Sequence, residues 1–487
     1  MWHITPRKLF IFIFLSALFG FSLRVAHDPD LFWHLKTGEY ILENGIPHQD
    51  PSFSFTATDR EWVTHEWLTQ VLMTTIYKFL GGLNGLSIIF ALLIALAFGL
   101  LFWASDGQPY LAGFSTFWGI TASLPFLNAR PQMFNLLFGA WIVLVAEQVR
   151  RGKWPTRLVW TFPLLFVLWV NMHGGFLLGF VILGVYVVGE GLQLFFSGER
   201  EEGLNWQQIQ TFAFSGVVGF IASIINPNTY RMWLYAFETL TSDAMRDTIL
   251  EWQSPNFHMW VFWFFGFMLM ATFFVMIYSK RLVLWTDVLF IAGTTFASLQ
   301  SVRNIPLFAL VAIPILSRHL LGLFMNTPWY PLFSGLAPDP IPNRMMNRIS
   351  WFAIVLVLIG MIAFSMEELG KTKETIGRKF PIAAVDWLES EGLSQARIFN
   401  EYEWGGYLIW RNVPTFIDGR ADLFGDELIY FYMQTYTRQS SWREPLDKFD
   451  VEYLLIKSNG GLRTLIDEAE EWEIVYKDEL AIIYGLK

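Results

Sequence analysis

Six polar clusters interrupt an otherwise apolar sequence: Asp28 with Asp30, His65 with Glu66, Arg130, His173, the stretch from Asn226 to Arg231, and Arg303. Two carboxylates two residues apart can act as a general base or bind a divalent cation. The plainer use of Asp30 is as N-cap of the helix that follows, worth about 1 kcal/mol. Arg130, Arg303 and Arg231 have the planar fork that holds phosphate oxygens bidentately, although an arginine near a helix end also snorkels to lipid headgroups without further purpose. Arg130 stands out because N-A-R-P is a short turn between two apolar stretches, where a lone charge has no solubility role. His34, His65, Glu66 and His173 are metal-ligand or proton-transfer types. No HExxH spacing is present, so a divalent cation, Mg or Mn, has to be assembled from distant segments, with Asp30 and Glu66 as its candidate ligands. Gly174 and Gly175 after His173 permit either close backbone approach or a tight turn.

These residues hang on a membrane-type framework. Of 487 residues, 54% are hydrophobic and 16% charged, with 47 Phe and 23 Trp, too apolar for a water-soluble chain. The net charge of -9 leaves no basic stripe for nucleic acid, and the absence of cysteine excludes disulfides and thiolate chemistry. Hydropathy places about eleven spans at 8–26, 84–103, 109–127, 131–149, 156–172, 174–197, 207–225, 256–278, 283–302, 304–321 and 350–366. The first segment has a signal-like basic front but no clear cleavage site, and reads as an uncleaved helix. With Arg7 and Lys8 cytoplasmic, Arg150, Arg151, Lys153, Arg157, Arg200, Lys280, Arg281, Arg318, Arg344 and Arg348 fall on the same side. All six polar clusters then face outward, and residues 66–82 are expected to form a helix lying at the outer interface.

Residues 27–83 form a first external loop rich in Trp, Phe and Tyr, opening with an amphipathic helix in which Leu31, Leu35 and Leu42 share a face. After residue 366 the composition turns polar, giving a membrane module at 1–366 and a small α/β soluble domain at 367–487. Strands are expected at 396–399, 407–410, 415–417, 453–456 and 474–476. Asp418, Gly419, Arg420, Ala421 and Asp422 form a turn with a local ion pair or reach down to the membrane site.

The run D-L-F-W-H-L-K-T-G-E-Y-I from Asp30 resembles the first-loop motif of the GT-C membrane glycosyltransferases, which include oligosaccharyltransferase catalytic subunits, protein mannosyltransferases and lipid A aminoarabinose transferases. His65, Glu66, Trp67 and Leu68 resemble the later part of that loop, and Asn128 to Pro131 its external arginine turn. The resemblance covers mainly residues 20–150 and the plan of many helices followed by an external domain. It implies a polyprenyl-phosphate-linked sugar as donor and an envelope lipid, glycan or protein as acceptor. Asp30 would be catalytic base or metal-binding acid with Asp28 its neighbour; Arg130, Arg303 or Arg231 would hold the donor phosphate. The chain lacks the W-W-D-Y-G signature of oligosaccharyltransferases; Trp404, Gly405, Gly406 and Tyr407 are its only echo. Two other functions compete: a transporter or flippase for lipid-linked glycans, which calls for charges deep inside spans, and a non-catalytic envelope assembly subunit. The expected location is a prokaryotic plasma membrane, N-terminus cytoplasmic and C-terminal domain outside.

Overall fold

The computed structural model describes residues 3–58, 60–198 and 203–487; Arg200 lies outside them. Every segment expected to span carries a helix. Among the described residues six helices are long and apolar enough to cross a membrane: Gly82–Ala104, Met133–Arg150, Gly174–Ser197, Trp260–Tyr278, Val302–Phe324 and Arg344–Lys379. The other five expected segments hold shorter helices, Pro6–Ser22, Tyr110–Ser123, Thr161–Met172, Trp206–Ala222 and Trp285–Gln300, of 12 to 17 residues. Outward faces are apolar, with Val181, Phe273, Ile277, Phe296 and Ile359 all exposed, a surface suited to hydrocarbon.

At the end of the bundle expected to be cytoplasmic, arginine behaviour differs from the positive-inside picture. Arg150, Arg151 and Arg318 are not splayed into headgroups. Arg150 pairs with Glu147 at 2.6 Å and with Glu190 at 3.6 Å, and Arg151 pairs with Glu147 at 2.9 Å and Asp106 at 3.2 Å. Arg318 and His319 both engage Asp287. These buried pairs tie Met133–Arg150 to Gly174–Ser197 and Trp285–Gln300 to Val302–Phe324, where lipid could not solvate the charges. Charge therefore gathers at both ends of the helices.

The loop after the first apolar helix contains two packed helices. Leu31–Asn44 begins just after Asp30 and buries Leu31, Phe32, Trp33 and Leu35, while Leu42, expected on the same face, is exposed in the last turn. Trp67–Phe79 has 13 residues, about 20 Å of helix at 1.5 Å per residue. It lies along its partner, with Thr74 Oγ1 donating to the Leu35 carbonyl at 2.8 Å. Gly38 lies at this crossing because any Cβ there would overlap the Gln70 carbonyl.

The helix Arg344–Gly370 runs on past the composition break at 366 and leads into a mixed four-stranded sheet. Its strands are β1 (Ile398–Asn400), β2 (Tyr453–Lys457), β3 (Trp472–Lys477) and β4 (Ala481–Leu486), in the order β1-β2-β4-β3. β1 pairs parallel with β2; the other pairings are antiparallel. Two strand expectations are corrected. Tyr407–Trp410 lies in the helix Gly405–Trp410, which sets the Tyr407 ring against Phe32, buries Leu408 and seats Gly406 on the Pro29 carbonyl, 2.5 Å from where its Cβ would be. Residues 415–417 form no strand; Thr415 makes isolated bridges to Ser54 and Ile398.

The C-terminal part and the first loop share their interior. Trp33, Ala57 and Trp62 of the loop belong to one apolar core with Phe416, Phe424, Tyr432, Leu454 and Ile482. The fully buried Arg420 pairs with Asp418 at 2.7 Å and with Asp50 of the loop, and lies over the rings of Phe53 and Trp62. The turn at 418–422 thus makes the local ion pair and also reaches the membrane module.

Candidate active site

The structure brings most of the polar clusters together at one end of the bundle, in two groups joined through neighbouring residues Trp33 and His34. The first group is centred on Arg130, whose side chain is 12% exposed. Its Nε pairs with Asp28 Oδ2, its Nη1 donates to Glu251 Oε1 at 2.6 Å, and its Nη2 stands 3.7 Å from Asp30 Oδ2. Every nitrogen of the fork therefore faces a different carboxylate. Asp28 is buried, and its Oδ1 accepts the Asp30 backbone N–H at 3.0 Å, which fixes the turn.

Asp30 occupies the N-cap position of its helix without making a capping bond. Its carboxylate instead accepts from the Trp33 indole at 3.1 Å and remains 27% exposed, against 2% for Asp28. Burial pushes the Asp30 carboxyl up to about 7, with Asp28 adding to the rise and Arg130 opposing it. Arg130 itself is held further into its charged range by Asp28, Glu251 and Asp30, which outweigh its own desolvation. The two aspartates thus differ in kind: Asp28 is an anchoring carboxylate, while Asp30 is partly open and titrates near neutrality, the range useful for a general base.

Glu251 was not among the residues singled out from sequence. Its only signal is a lone acid in I-L-E-W at the edge of an apolar segment. It carries the link to Arg303: the Glu251 carbonyl accepts from Ser301 Oγ at 2.9 Å, and the next residue, Trp252, bears the Arg303 guanidinium 4.5 Å from its ring centroid. Among the described residues Arg303 has no carboxylate within ion-pair distance. Arg231 does not join either group. It is half exposed and pairs with the exposed Glu61 at 3.1 Å, because the helix Arg231–Thr241 turns this residue to the surface.

The second group surrounds Glu66. Its Oε1 lies 3.2 Å from His65 Nε2 and 3.1 Å from His173 Nε2, and its Oε2 lies 3.5 Å from His34 Nδ1. His173 Nδ1 accepts from the Gly175 N–H at 2.8 Å and from the Asn135 amide at 3.1 Å, so Nε2 carries the proton directed at Glu66. His65 faces acceptors on both sides, since Nδ1 approaches the Val63 carbonyl at 3.3 Å and Asp422 at 3.7 Å. Burial works against charge on His65, but Glu66 and Asp422 outweigh it and raise the imidazole to about 8. His34, buried beside the Trp33 ring, is pushed down to about 3 by desolvation. Glu66 is held well below the usual carboxylate range by His65 and His173 despite its burial. Tyr235 of the helix Arg231–Thr241 stacks on His65 at 4.3 Å.

Gly174 and Gly175 are explained by close approach. A Cβ at Gly174 would come within 2.7 Å of the Tyr235 ring, and one at Gly175 within 2.5 Å of the Asn135 amide; neither has positive φ.

A divalent cation does not fit these residues well. Asp30 and Glu66 belong to different groups, Glu66 is surrounded by imidazoles, and the acids beside Asp30 already enclose a guanidinium. Among the described residues no set of three or more His, Asp or Glu side chains is disposed to hold a metal ion.

No protein-family model and no curated protein matches the sequence. Solved structures do match in fold. The Archaeoglobus fulgidus oligosaccharyltransferase tethered with an acceptor peptide superposes with a TM-score of 0.54 at 11% identity, covering 99% of this chain and 74% of that one. ArnT from Cupriavidus metallidurans bound to undecaprenyl phosphate gives 0.50 at 14%, covering 98% and 97%. The mycobacterial arabinofuranosyltransferase AftD gives 0.50 at 13%, covering 99% of this chain and 42% of that one. The chain has the fold of the GT-C membrane glycosyltransferases and is an integral membrane protein.

Proposed function

We propose that this chain is a glycosyltransferase that moves a sugar from a polyprenyl-phosphate-linked donor to a hydroxyl of an envelope lipid, glycan or protein outside the cytoplasm. The observation that carries the reading is the unequal pair of aspartates: Asp28 buried and locked to Arg130, and Asp30 beside it, more loosely paired and partly open. Structural neighbours solved with an acceptor peptide, undecaprenyl phosphate or dolichol-phosphate support the choice of partners. In this reading the N-terminus is cytoplasmic, the site and C-terminal part lie outside, the membrane is a prokaryotic plasma membrane, and all eleven apolar helices span it.

The chemistry needs a base and a cation. Asp30 takes the proton of the acceptor hydroxyl as its oxygen bonds to the anomeric carbon; the bond from that carbon to the phosphate oxygen breaks, and the electron pair leaves with the polyprenyl phosphate. Arg303, which among the described residues makes no direct ion pair with a carboxylate and lies over the Trp252 ring, receives that phosphate. Arg130, fully engaged by acids, orients Asp30. This assignment moves the phosphate role from Arg130 and Arg231 to Arg303. The transporter reading has less support, because the buried charges tie helix ends together and do not line a path between them.

The test is turnover of a panel of polyprenyl-phosphate sugars by the purified chain in lipid nanodiscs, with released polyprenyl phosphate read by mass spectrometry. Consumption of one donor, reduced severely in Arg303→Ala, supports the reading. Binding of lipid-linked glycans without turnover of any would favour the transporter.

A further inference from the structure

The candidate base is held by a single hydrogen bond. Trp33 Nε1 donates to Asp30 Oδ1 at 3.1 Å, and no other side chain among the described residues donates a hydrogen bond to that carboxylate. Four further groups face it: Asp28 on the same loop, Arg130, Glu251, and Tyr402 of the C-terminal part. Arg130 Nη2 stands 3.7 Å from Oδ2, beyond a strong hydrogen bond, so its pull is electrostatic and the rotation of the carboxylate is left to Trp33. The indole is itself fixed. It is buried, with its ring centroid 3.7 Å from that of His34 and 6.2 Å from that of Trp62. Two glycines of the C-terminal part lean on it: a Cβ at Gly406 would come within 3.2 Å of Cδ1, and one at Gly419 within 2.9 Å of Nε1. Packing alone does not account for where the N–H points, since among the described residues Trp62, buried in the same core, has no partner for its own indole nitrogen.

We infer that Trp33 is a positioning residue that ties up Asp30 Oδ1, so that Oδ2 is the oxygen that takes the proton and the acceptor hydroxyl is seated between Oδ2 and Arg130 Nη2. The inference deepens the transferase reading, on which its catalytic part rests. Oδ1 is closed from two sides, by the indole N–H and by Gly419. The gap at Oδ2 suits a hydroxyl: an oxygen about 2.8 Å from each atom donates to the carboxylate and accepts from the guanidinium. The hydroxyl proton passes to Oδ2 as its oxygen bonds to the anomeric carbon, and the electron pair of the broken bond leaves with the polyprenyl phosphate. A hydrogen bond to the ionised carboxylate also stabilises that form, so the indole opposes the rise that burial imposes on Asp30.

The experiment follows the ionisation of Asp30 in the full chain in nanodiscs, as the infrared carboxyl band that Asp30→Asn removes, and compares Trp33→Phe with Trp62→Phe. Phenylalanine keeps most of the apolar contact and removes the N–H. The midpoint should rise by about one pH unit in Trp33→Phe, the scale of one hydrogen bond to a charged group, and stay at the wild-type value in Trp62→Phe. With a donor being turned over, the acid limb of kcat/KM should move up by the same amount, and kcat above the new midpoint should fall about tenfold because the carboxylate is no longer aimed. An unmoved midpoint in a Trp33→Phe protein of wild-type helical content would overturn the inference, as would an equal shift in Trp62→Phe. A shifted midpoint with kcat unchanged above it would overturn the positioning role. A further arm needs no tryptophan variant to fold: one indole N–H resonance of wild type should titrate together with the Asp30 band and cease to do so in Asp30→Asn, and the inference fails if none does. Because both spectra are read without substrate, absence of any sugar transfer would sink the transferase reading while leaving the Trp33 contact standing.

Discussion

Gly419 rests so closely on Asp30 that a Cβ at this position would overlap the aspartate Oδ1 and come within 2.9 Å of the Trp33 indole nitrogen. The C-terminal part therefore forms one wall of the candidate site, and a glycine is required there because of close approach, its φ being unremarkable. Gly419→Ala should force Asp30 off its position and reduce transfer by about 100-fold, the scale of a 1 Å misplacement of a catalytic group. Donor binding should change little. Steady-state kinetics of this variant at wild-type activity would place the chemistry elsewhere.

Asp28 and Asp30 should respond differently to the same substitution. Asp28→Asn breaks a buried ion pair and should cost roughly 3–5 kcal/mol of stability, seen as a lower unfolding temperature in detergent. Asp30→Asn removes a partly open, loosely paired carboxylate and should leave the unfolding temperature close to wild type. Equal destabilisation by the two would mean that both acids are structural.

The raised Asp30 carboxyl fixes a pH dependence. The base must be ionised, so kcat/KM should rise about tenfold per pH unit on the acid side and level off above about 7. A profile that is already flat from pH 5 would remove Asp30 from the base role.

The Glu66 group predicts a stability window. His65 is raised from 6.5 to about 8, so its contribution is full below 6.5 and is lost as pH rises through 8. Glu66 is depressed, so its contribution is full above 4.5 and is lost as pH falls below that value. His34 and His173 are depressed and cost stability as pH falls below 6.5, so thermal unfolding should show this cluster stabilising most near pH 6.5, with a decline from His65 on the order of 2 kcal/mol toward pH 9. His65→Gln should flatten that alkaline decline; an unchanged slope would contradict the pairing.

Arg420 ties the first loop to the C-terminal part, being fully buried with Asp50 on one side and Asp418 on the other. Arg420→Ala leaves two buried carboxylates uncompensated and should destabilise by about 3–5 kcal/mol. Limited proteolysis should then cut the first loop around Asp50 faster than in wild type. Protection equal to wild type would show that the apolar core around Trp62 suffices.

The sequence was readable wherever a signal is local. Apolar length alone marks the helices, and Asp30, Arg130, His65, Glu66 and His173 stand out because a charge or imidazole between apolar segments is costly without a partner. What was not readable depends on convergence. Glu251, Tyr235 and the contact of Gly419 with Asp30 lie far apart along the chain and meet only after folding. In the sequence Arg130 looks free to hold phosphate because the acids that occupy its fork come from two other segments. Tyr407–Trp410 misled because a short apolar run fits strand and helix equally, and the continuous run Ala481–Tyr484, buried throughout as β4, went unassigned for the same reason.

The central claim is that Asp30 does chemistry on a lipid-linked sugar. It is tested most directly by measuring donor affinity and single-turnover transfer side by side for wild type and Asp30→Asn in nanodiscs. The account predicts that Asp30→Asn binds the polyprenyl-phosphate sugar within a few-fold of wild type and transfers it at least about 100-fold more slowly, the lower range for loss of a general base. Transfer at the wild-type rate by Asp30→Asn would contradict it.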